Sequence, residues 1–403
     1  MKLVIIGVSG YAKVFIEAMF KNEGNETYEI VGFIYPKSRK SPIPEQLIEN
    51  KIPQYDSLEE FYKKDSADLV IISSPINLHL EQTITALRNG SNVLCEKPIA
   101  ATIQDAREME RVSKETGKFV AVGFQWSYCE PILNLKKDIL AGMYGKAISC
   151  KTVVQWPRTV RYYNRASWAG KIMDQSGHWV LDSVANNATA HFLHNMLFVL
   201  GDAIDKAAYP KTINAEIYRA NDIENYDTFA GKIETKSGVD ILFLASHAVK
   251  ENINPIFEFT FEKGKITYDY SKDSILYGHT ADGKTKAYGN PFDFEMRKIF
   301  TCIKAIRNET IIPCPIDAAI PQLLVINSVN QENEISEFPK DVVVDGTINE
   351  EQLFYVKDMN EMLNECYDKE KLPSEMGYSW AKKQNTIDVS NYREFKGAKN
   401  WKK

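Results

Sequence analysis

This sequence of 403 residues lacks the marks of several specialised protein classes. Its six cysteines have no close partner along the chain, which favours free thiols in a reducing cytoplasm over a disulfide framework. No apolar run approaches the roughly 20 residues of a membrane helix, and the opening MKLVIIGVSG does not form a secretory signal. The net charge of −5 argues against nucleic acid, whose partners are normally basic. We therefore expect a cytoplasmic protein that binds neither membranes nor nucleic acids.

Strands and helices are predicted in strict alternation over the first third of the chain. The segments KLVIIG, YEIVGFIY, DLVIISS, NVLCE and KFVAVGF are short and mostly apolar, as in a parallel sheet that is buried on both faces. Two intervening helices begin at residues with capping side chains, Ser57 and Thr102, and the second ends near Gly117. This alternation predicts an α/β fold with a doubly wound parallel sheet. The chain is long enough for a second domain.

The segment GVSGYA follows the first predicted strand and opens a helix. In a doubly wound sheet, ligands bind at the carboxyl ends of the strands. The dinucleotide-binding pattern places Gly at its first, third and sixth positions, which here are Gly7, Ser9 and Ala12. This degenerate pattern also fits an ordinary turn. Its place before a helix N-terminus favours a pyrophosphate site, in which Gly10 allows close approach and Tyr11 is a further contact.

The segment CEKP lies at the carboxyl end of another predicted strand of the same sheet. Glu96 and Lys97 could form an ordinary surface ion pair in a turn. A lysine at the mouth of a cofactor crevice could also polarise or protonate a substrate oxygen. A cis bond between Lys97 and Pro98 would be one way to fix the direction of that lysine.

A longer stretch resembles the Gfo/Idh/MocA family of nicotinamide-dependent oxidoreductases. It reads LVIISSPINLHLEQTITALRNGSNVLCEKPIA and is followed by VAVGFQWS. The resemblance is carried by Ser-Pro after a strand, a histidine four residues beyond that proline, the Glu-Lys-Pro motif and Gly-Phe-Gln, and it covers roughly residues 1–335. It implies an N-terminal Rossmann domain and a C-terminal α+β domain with a large, mostly antiparallel sheet.

The resemblance also implies the residues that contact the cofactor. Lys97 would touch both the nicotinamide and the substrate, Glu96 would hold a ribose hydroxyl, and Gln125 would lie beside the nicotinamide. The other contacts implied at the ends of the strands are Ser73, Ser74, Pro75, Asn77 and His79.

The segment VLDSVANNATAHFLHNMLFVLG, residues 180–201, is predicted to be one helix capped by Asp182 or Ser183. Asn187, His191 and His194 then form a polar stripe on an otherwise apolar helix, which fits the wall of a cavity. Core histidines bonded to the backbone explain the stripe as well. A zinc site is disfavoured because no Cys or Glu joins the histidines at ligand spacing, and no metal is predicted.

The resemblance makes His191 the acid/base residue that exchanges a proton with the substrate hydroxyl. The aspartate of the family's Asp-x-x-x-His pair is replaced by Asn187, which cannot hold an imidazolium by charge. A further acidic position is occupied by His194, which we predict to act on substrate affinity.

The segment VQWPRTVRYYNRASWAGK, residues 154–171, alternates aromatic and arginine side chains. An exposed loop with scattered aromatics has this composition, and so do RNA-binding segments, although the acidic chain argues against RNA. The functional interpretation is a carbohydrate site, because rings cover the apolar face of a sugar and arginines bind hydroxyls or a carboxylate. The predicted substrate contacts are Trp126, Trp156, Arg158, Tyr163, Arg165 and Trp168.

The choice between NAD and NADP depends on the end of the second strand, IVGFIYPKSRK. The position that holds an acidic residue in NAD-binding sheets falls on Tyr35, and no Asp or Glu occurs between Glu29 and Glu45. The basic loop could pair with a 2′-phosphate through Ser38 and Arg39. A solvated loop with Tyr35 on adenine is compatible with either cofactor. We predict NAD(P), with a lean towards NADP.

The expected organisation has three parts: a dinucleotide-binding domain over 1–126, a substrate-binding domain over 127–339, and an extension over 340–403 that packs on the core or on a neighbouring subunit. The resemblance implies a homodimer or homotetramer. Three functions stay open. They are an oxidoreductase acting on a sugar or its derivative, a cofactor-recycling enzyme that oxidises a sugar transiently to eliminate or cleave a glycoside, and a non-enzymatic sugar or nucleotide sensor.

Overall fold

The computed structural model describes residues 1–401, which form two compact units. The first unit consists of Met1–Cys129 and Phe292–Ile320, and the second consists of Glu130–Pro291 and the chain from Pro321 onward. This division differs from the predicted boundaries after residues 126 and 339. Residues 292–320 pack with the first unit because Lys298 and Phe300 are buried there.

The first unit is built on a six-stranded sheet in the order β3-β2-β1-β4-β5-β6, and all neighbouring strands are parallel. The strands are β1 (Lys2–Ile6), β2 (Glu29–Ile34), β3 (Gln54–Tyr55), β4 (Leu69–Ile72), β5 (Asn92–Cys95) and β6 (Val120–Val122). Every residue of β4, β5 and β6 is buried, which accounts for their continuous apolar sequences. The predicted doubly wound sheet is confirmed, whereas the short β3 was not predicted.

Six helices belong to this unit, together with two short 3₁₀ turns. The helices are α1 (Tyr11–Lys21), α2 (Glu45–Glu49), α3 (Leu58–Tyr62), α4 (His79–Arg88), α5 (Ile103–Thr116) and α9 (Arg297–Ile306), and the turns are Ile76–Leu78 and Gln125–Tyr128. The predicted caps are confirmed: Ser57 accepts from the N–H of Glu60, and Thr102 accepts from the N–H of Asp105. Gly117 ends α5 in the left-handed conformation.

The second unit contains a ten-stranded sheet, mostly antiparallel, in the order β14-β13-β12-β11-β7-β10-β9-β8-β15, with β18 also paired to β8. The strands are β7 (Ala147–Gln155), β8 (Pro210–Arg219), β9 (Thr228–Thr235), β10 (Asp240–Ser246), β11 (Ile253–Phe261), β12 (Gly264–Asp269), β13 (Leu276–Thr280), β14 (Thr285–Gly289), β15 (Ser336–Glu337) and β18 (Ile387–Asp388). Only the pairs β7–β10 and β8–β15 are parallel. The predicted fold class is therefore confirmed for both units.

The remaining elements are helices and one hairpin. They are α6 (Glu130–Leu140), α7 (Val160–Tyr163), α8 (Ala190–Val199), α10 (Ile316–Glu332), α11 (Met359–Lys369), α12 (Pro373–Met376), and the hairpin strands β16 (Val343–Ile348) and β17 (Glu351–Val356). The end of α10 from Pro321 onward lies in the second unit.

The C-terminal extension packs on the large sheet. Met359, Leu363 and Trp380 are buried in one apolar cluster with Val153 and Leu244 of the sheet. A buried carboxylate, Glu216 on β8, accepts a hydrogen bond from the N–H of Ser374 at 3.2 Å. Burial of this apolar surface fixes the extension on the sheet of its own chain.

Three further findings apply to residues 1–401. The structure contains no helix that is long and apolar enough to cross a membrane. It also contains no group of three or more His, Cys, Asp or Glu side chains arranged to hold a metal ion. All six cysteines are buried outside disulfides.

Candidate active site

The glycine loop lies at the carboxyl end of β1, where its backbone comes close to the next strand of the sheet. Gly7 has a φ of 102°, and a Cβ atom there would lie 2.6 Å from the carbonyl oxygen of Ser73. Gly10 also has a positive φ and precedes α1, whose N-terminus has no side-chain cap. Ser9, Gly10 and Tyr11 are exposed, and Ala12 is buried. The close backbone approach and the uncapped helix end fit the pyrophosphate of a dinucleotide.

The loop after β2 folds over Tyr35. The Tyr35 hydroxyl accepts a hydrogen bond from the N–H of Ser41 at 2.9 Å, and the residue is 7% exposed. Ser38 and Arg39 are exposed. An acidic residue reaches this loop from outside the segment 29–45: Asp56, which follows β3, accepts from the N–H of Lys37 at 2.6 Å, and its other oxygen lies 4.0 Å from the Lys37 ammonium.

His79 joins two backbone segments instead of presenting a nitrogen to a ligand. Its Nε2 lies 3.0 Å from the carbonyl oxygen of Ser74, and its Nδ1 lies 3.0 Å from that of Pro98. The residue is 1% exposed, and burial lowers the pKa of its imidazole. This corrects the prediction that His79 lines the cofactor: it ties the end of β4 to the segment behind Lys97.

The other residues predicted to contact the cofactor at the end of β4 lie in different local environments. Ser74 is partly buried and donates from its hydroxyl to Gln82 at 2.6 Å. Pro75 precedes the turn Ile76–Leu78, which contains Asn77. Ser73 supplies the carbonyl that faces Gly7.

Glu96 and Lys97 begin the segment after β5. Lys97 is partly exposed, and its peptide bond to Pro98 is cis. Its backbone N–H lies 3.3 Å from a carboxylate oxygen of Glu96. Glu96 is 7% exposed and forms an ion pair with Lys298, which is fully buried and also donates to the carbonyl of Gly123 at 3.3 Å. The sequence did not predict this partner. The predicted role of Glu96 towards a ribose stays a prediction, with its carboxylate already bound to Lys298.

Gln125 follows β6 and contacts the glycine loop. Its side-chain oxygen accepts from the Tyr11 hydroxyl at 3.1 Å, and burial raises the pKa of that hydroxyl. Because all strands of the sheet are parallel, Gly7, Tyr35, Lys97 and Gln125 follow strand ends on one edge of the sheet. Trp126 does not join them: it is 2% exposed and packs edge-on against Phe292, so its prediction as a substrate contact is corrected.

The predicted helix over residues 180–201 is shorter than expected. Helix α8 begins at Ala190, and residues 184–189 form turns. The Asn-rich sequence explains the difference, since Asn186 donates from its side chain to the carbonyl of Leu181 and thereby competes with helical bonding. Asp182 is not a helix cap: its carboxylate accepts from the N–H of Gly170 at 2.6 Å and from the Asn187 amide at 2.8 Å. Asn187 therefore precedes the helix that carries His191.

The two histidines of α8 have different surroundings. His191 is partly exposed, whereas every other residue of the helix is buried. His194 is 1% exposed and stacks on Phe198 with a centroid distance of 5.6 Å. Burial, followed by the charge of Lys136, lowers the pKa of His194 to about 3. His194 is thus part of the core of the unit, which corrects its prediction as a substrate contact.

The aromatic and arginine residues after β7 form a stacked group. The Arg158 guanidinium lies over the rings of Trp156 and Tyr162, at 5.6 and 4.8 Å. The Arg165 guanidinium lies over Tyr162 and Trp168, at 3.6 and 4.9 Å. We call Trp156, Arg158, Tyr162, Arg165 and Trp168 the arginine stack.

Two neighbours of the arginine stack could not be found from local sequence. His247 lies after β10, and its Nδ1 is 2.7 Å from the carbonyl oxygen of Trp156. Glu351, on the extension hairpin, accepts hydrogen bonds from Thr159 at 2.6 Å and from Arg161 at 2.8 Å. Tyr163, also predicted to contact substrate, lies edge-on to Tyr162. These contacts cross as many as 192 residues, so only the fold reveals them.

Comparison with known proteins identifies the first unit. Residues 1–124 match the model of the Gfo/Idh/MocA family, described as an oxidoreductase family with an NAD-binding Rossmann fold. The N-terminal domain therefore belongs to this family, as the sequence resemblance predicted.

The relatives agree with this assignment over part of their length. A 2,7-anhydro-N-acetylneuraminate hydratase of Mediterraneibacter gnavus is 37% identical over 93 residues, which are 23% of this chain and 25% of the relative. A 1,5-anhydro-D-fructose reductase of Ensifer adhaerens is 30% identical over 148 residues, 36% of this chain and 41% of the relative. The chain thus spans less than half the length of these curated relatives.

Similarity of structure extends further than similarity of sequence. The WlbA dehydrogenase from Bordetella pertussis, solved with NADH and UDP-GlcNAcA, has a TM-score of 0.64 at 19% identity; 81% of this chain and 94% of that chain are covered. At this identity the comparison shows the fold.

Proposed function

We propose that the protein is an NAD(P)-dependent oxidoreductase that transfers a hydride between the nicotinamide and a hydroxyl or keto group of a sugar or sugar derivative. The observation that carries the proposal is the position of Lys97: it follows β5 at the edge of the sheet where the glycine loop follows β1, in a domain of an NAD-binding oxidoreductase family.

The chain's own groups fit a dinucleotide. The backbone at Gly7 and Gly10 and the N-terminus of α1 would hold the pyrophosphate. Tyr35, Ser38 and Arg39 would contact the adenosine end, and Gln125, positioned by Tyr11, would contact the nicotinamide. A bound nicotinamide cofactor supplies the hydride acceptor or donor, which no side chain can replace.

Removing a hydride from an alcohol carbon also requires that the hydroxyl proton be taken up by the protein. We assign this task to Lys97 and His191 as an acid/base pair. His191 is the partly exposed polar residue of α8, which suits a group that exchanges protons with a ligand. At the position of the family's aspartate this chain has Asn187, whose side-chain amide donates a hydrogen bond to the carboxylate of Asp182.

The substrate class follows from the arginine stack and from the relatives. Half-buried rings such as Trp168 can cover the apolar face of a sugar. Both relatives described above bear the names of sugar derivatives, which supports a carbohydrate substrate. The family resemblance further supports a homodimer or homotetramer, which sedimentation velocity would test.

A second candidate function is transient oxidation of a sugar with recycling of the cofactor, which permits elimination or glycosidic cleavage. The hydratase among the relatives favours it, together with the altered position at Asn187. Its signature is product formation without net change of the nucleotide.

The decisive experiment screens sugars and sugar derivatives with NAD, NADP and their reduced forms, following nucleotide absorbance and product by mass spectrometry. We expect turnover that falls at least about 10²-fold in Lys97→Met and in His191→Ala, the scale of a lost acid–base group. Lys114→Met, on an exposed lysine of α5, is the matched control. Product without nucleotide change would select the recycling enzyme. Ligand binding without any reaction would select the sensor, and undiminished turnover in Lys97→Met would refute the assignment of Lys97.

A further inference from the structure

The arginine stack brings two positive charges to one aromatic ring. The guanidinium carbons of Arg158 and Arg165 lie 4.8 and 3.6 Å from the centroid of Tyr162. Stacking engages the faces of the guanidinium groups and leaves their N–H edges available for hydrogen bonds. Two like charges beside one ring repel each other, and an anion between or beside them relieves that repulsion.

Neither guanidinium has a carboxylate partner among residues 1–401. Arg165 donates to the backbone carbonyl of Tyr162 at 2.7 Å, and Arg158 donates to that of Pro157 at 3.3 Å. The Nε atom of Arg158 is buried without an acceptor. The nearby Arg161 differs, because it forms an ion pair with Glu351 at 2.8 Å. A buried donor without an acceptor costs free energy unless a ligand supplies the acceptor.

Two buried carboxylates near the arginine stack accept hydrogen bonds from other groups. Asp182 and Asp227 both act on the Tyr163 hydroxyl, whose pKa is raised chiefly by burial. Asp182 accepts from the N–H of Gly170 and from Asn187. Asp227 accepts from the N–H groups of Ala220 and Asn221 at 2.9 and 2.8 Å. Both carboxylates therefore already have hydrogen-bond donors of their own.

A buried histidine lies beside the arginine stack. The ring of His247 lies 6.0 Å from that of Tyr162. Its pKa is lowered to about 3, first by burial and then by the charges of Arg158 and Arg165. His247 is therefore neutral near pH 7, and its Nδ1–H donates to the carbonyl of Trp156. His247 therefore adds no positive charge to those of Arg158 and Arg165.

We propose that Arg158 and Arg165 form a subsite for an anionic group, a carboxylate or a phosphate, on the sugar derivative that the protein binds. The inference rests on the proposed carbohydrate site and narrows it to acidic or phosphorylated sugars. Guanidinium groups bind both anions through paired N–H bonds, and the aromatic rings beside them suit the attached sugar ring.

The test uses the full chain and ring-matched probes: glucose, galactose and mannose, their uronates, and their 6-phosphates. Calorimetry with and without NADH gives each dissociation constant, at low and at high salt. We expect an acidic or phosphorylated member of at least one ring to bind at least about tenfold more tightly than its neutral counterpart, corresponding to one charge-assisted hydrogen bond. This preference weakens with salt. Comparison of uronate with 6-phosphate identifies the anion.

Arg158→Gln and Arg165→Gln are each expected to remove the preference while leaving NADH binding unchanged. Arg161→Gln removes one charge from the same segment and is expected to keep the preference. Arg165 is exposed, so its variant tests the inference even if Arg158→Gln folds poorly. Equal binding of neutral and anionic probes, binding of no anionic probe, an equal effect of Arg161→Gln, or loss of NADH binding would each overturn the subsite.

The nucleotide assay on the same samples separates this inference from the proposed function. Turnover of neutral sugars without anionic preference would refute the subsite and leave the oxidoreductase in place. Arginine-dependent binding of anionic sugars without any turnover would support the subsite and refute the oxidoreductase.

Discussion

The ammonium of Lys298 on α9 contacts the carboxylate of Glu96 in the interior of the first unit. The lysine also lies over the rings of Tyr11 and Phe15, at 4.8 and 4.6 Å. Gly123 completes this arrangement, because a Cβ atom there would lie 2.5 Å from the Glu96 carboxylate. Glu96, which directly precedes Lys97, is therefore held in place by Lys298, 202 positions away in the chain.

Lys298→Met should leave Glu96 as a buried carboxylate without its counter-ion. We expect the free energy of unfolding to fall by about 3–5 kcal/mol, the usual cost of removing one member of a buried ion pair. The double variant Glu96→Gln/Lys298→Met should recover part of that loss, because no unpaired charge is left. Urea denaturation measures each value.

Lys304→Met on the same helix is the control. Lys304 is half exposed and lies 3.7 Å from Glu26, so its removal should change the free energy of unfolding by less than about 1 kcal/mol. Equal losses of unfolding free energy in Lys298→Met and Lys304→Met would show that the buried ion pair with Glu96 stabilises the protein no more than an exposed pair does.

The sequence predicted those parts of the structure that local patterns determine. The strands β1, β2, β4, β5 and β6 were visible as apolar runs, and the caps Ser57 and Thr102 were visible as side chains with a local partner. The strands β13 and β14 show no such apolar run. In the outer strand β14, Thr285, Lys286 and Ala287 are exposed, so its sequence has no apolar pattern.

The candidate site was predictable only where a motif stays within one strand end. Lys97 and the glycine loop meet that condition. Lys298, Asp56 and His247 do not, because each reaches its partner through tertiary contact. His194 misled the prediction, since helical spacing alone cannot distinguish a cavity wall from a core position that faces Lys136 and Phe198.

His194 should make stability depend on pH. Its pKa is lowered to about 3 in the folded state, against about 6.5 when unfolded. Between these values the unfolded chain binds a proton that the folded protein does not, so the free energy of unfolding falls as the pH falls. The contribution is about 1.4 kcal/mol per pH unit. His194→Gln should remove this slope when denaturation curves are compared from pH 7 to pH 4.

The comparison contains its own control. Above pH 7.5 the side chain is neutral in both states, so any difference there reports lost packing alone. Parallel pH profiles of the two proteins would contradict the burial of His194.

Asn187→Asp restores the residue that the family resemblance implies, and we expect it to destabilise this chain. The amide of Asn187 donates to Asp182 at 2.8 Å, and Asp182 is 3% exposed. A second carboxylate there would remove the donor and add a like charge, at a cost of about 2–3 kcal/mol near pH 8.

The loss should shrink as the pH falls. Repulsion raises the pKa of the carboxyl pair above its unfolded value, so the folded variant gains a proton first and one acid can then donate to the other. Asn187→Ser serves as the control, because it removes the amide without adding charge. A larger loss in Asn187→Ser than in Asn187→Asp at pH 8 would show that repulsion is absent.

The preference between NAD and NADP should depend on Asp56. Lys37, Arg39 and Lys40 are exposed in the loop after β2, but Asp56 lies 4.0 Å from the Lys37 ammonium and would repel a 2′-phosphate bound by this loop. We expect NADP to bind more tightly than NAD at low salt. Asp56→Asn should raise this ratio by up to about fivefold, the scale of an exposed charge pair, and Arg39→Gln should lower it. Glu59→Gln, which removes an exposed carboxylate of the neighbouring helix α3, is the matched control. Fluorescence titration of both nucleotides at two salt concentrations measures the ratio, and tighter binding of NAD at both would refute the preference.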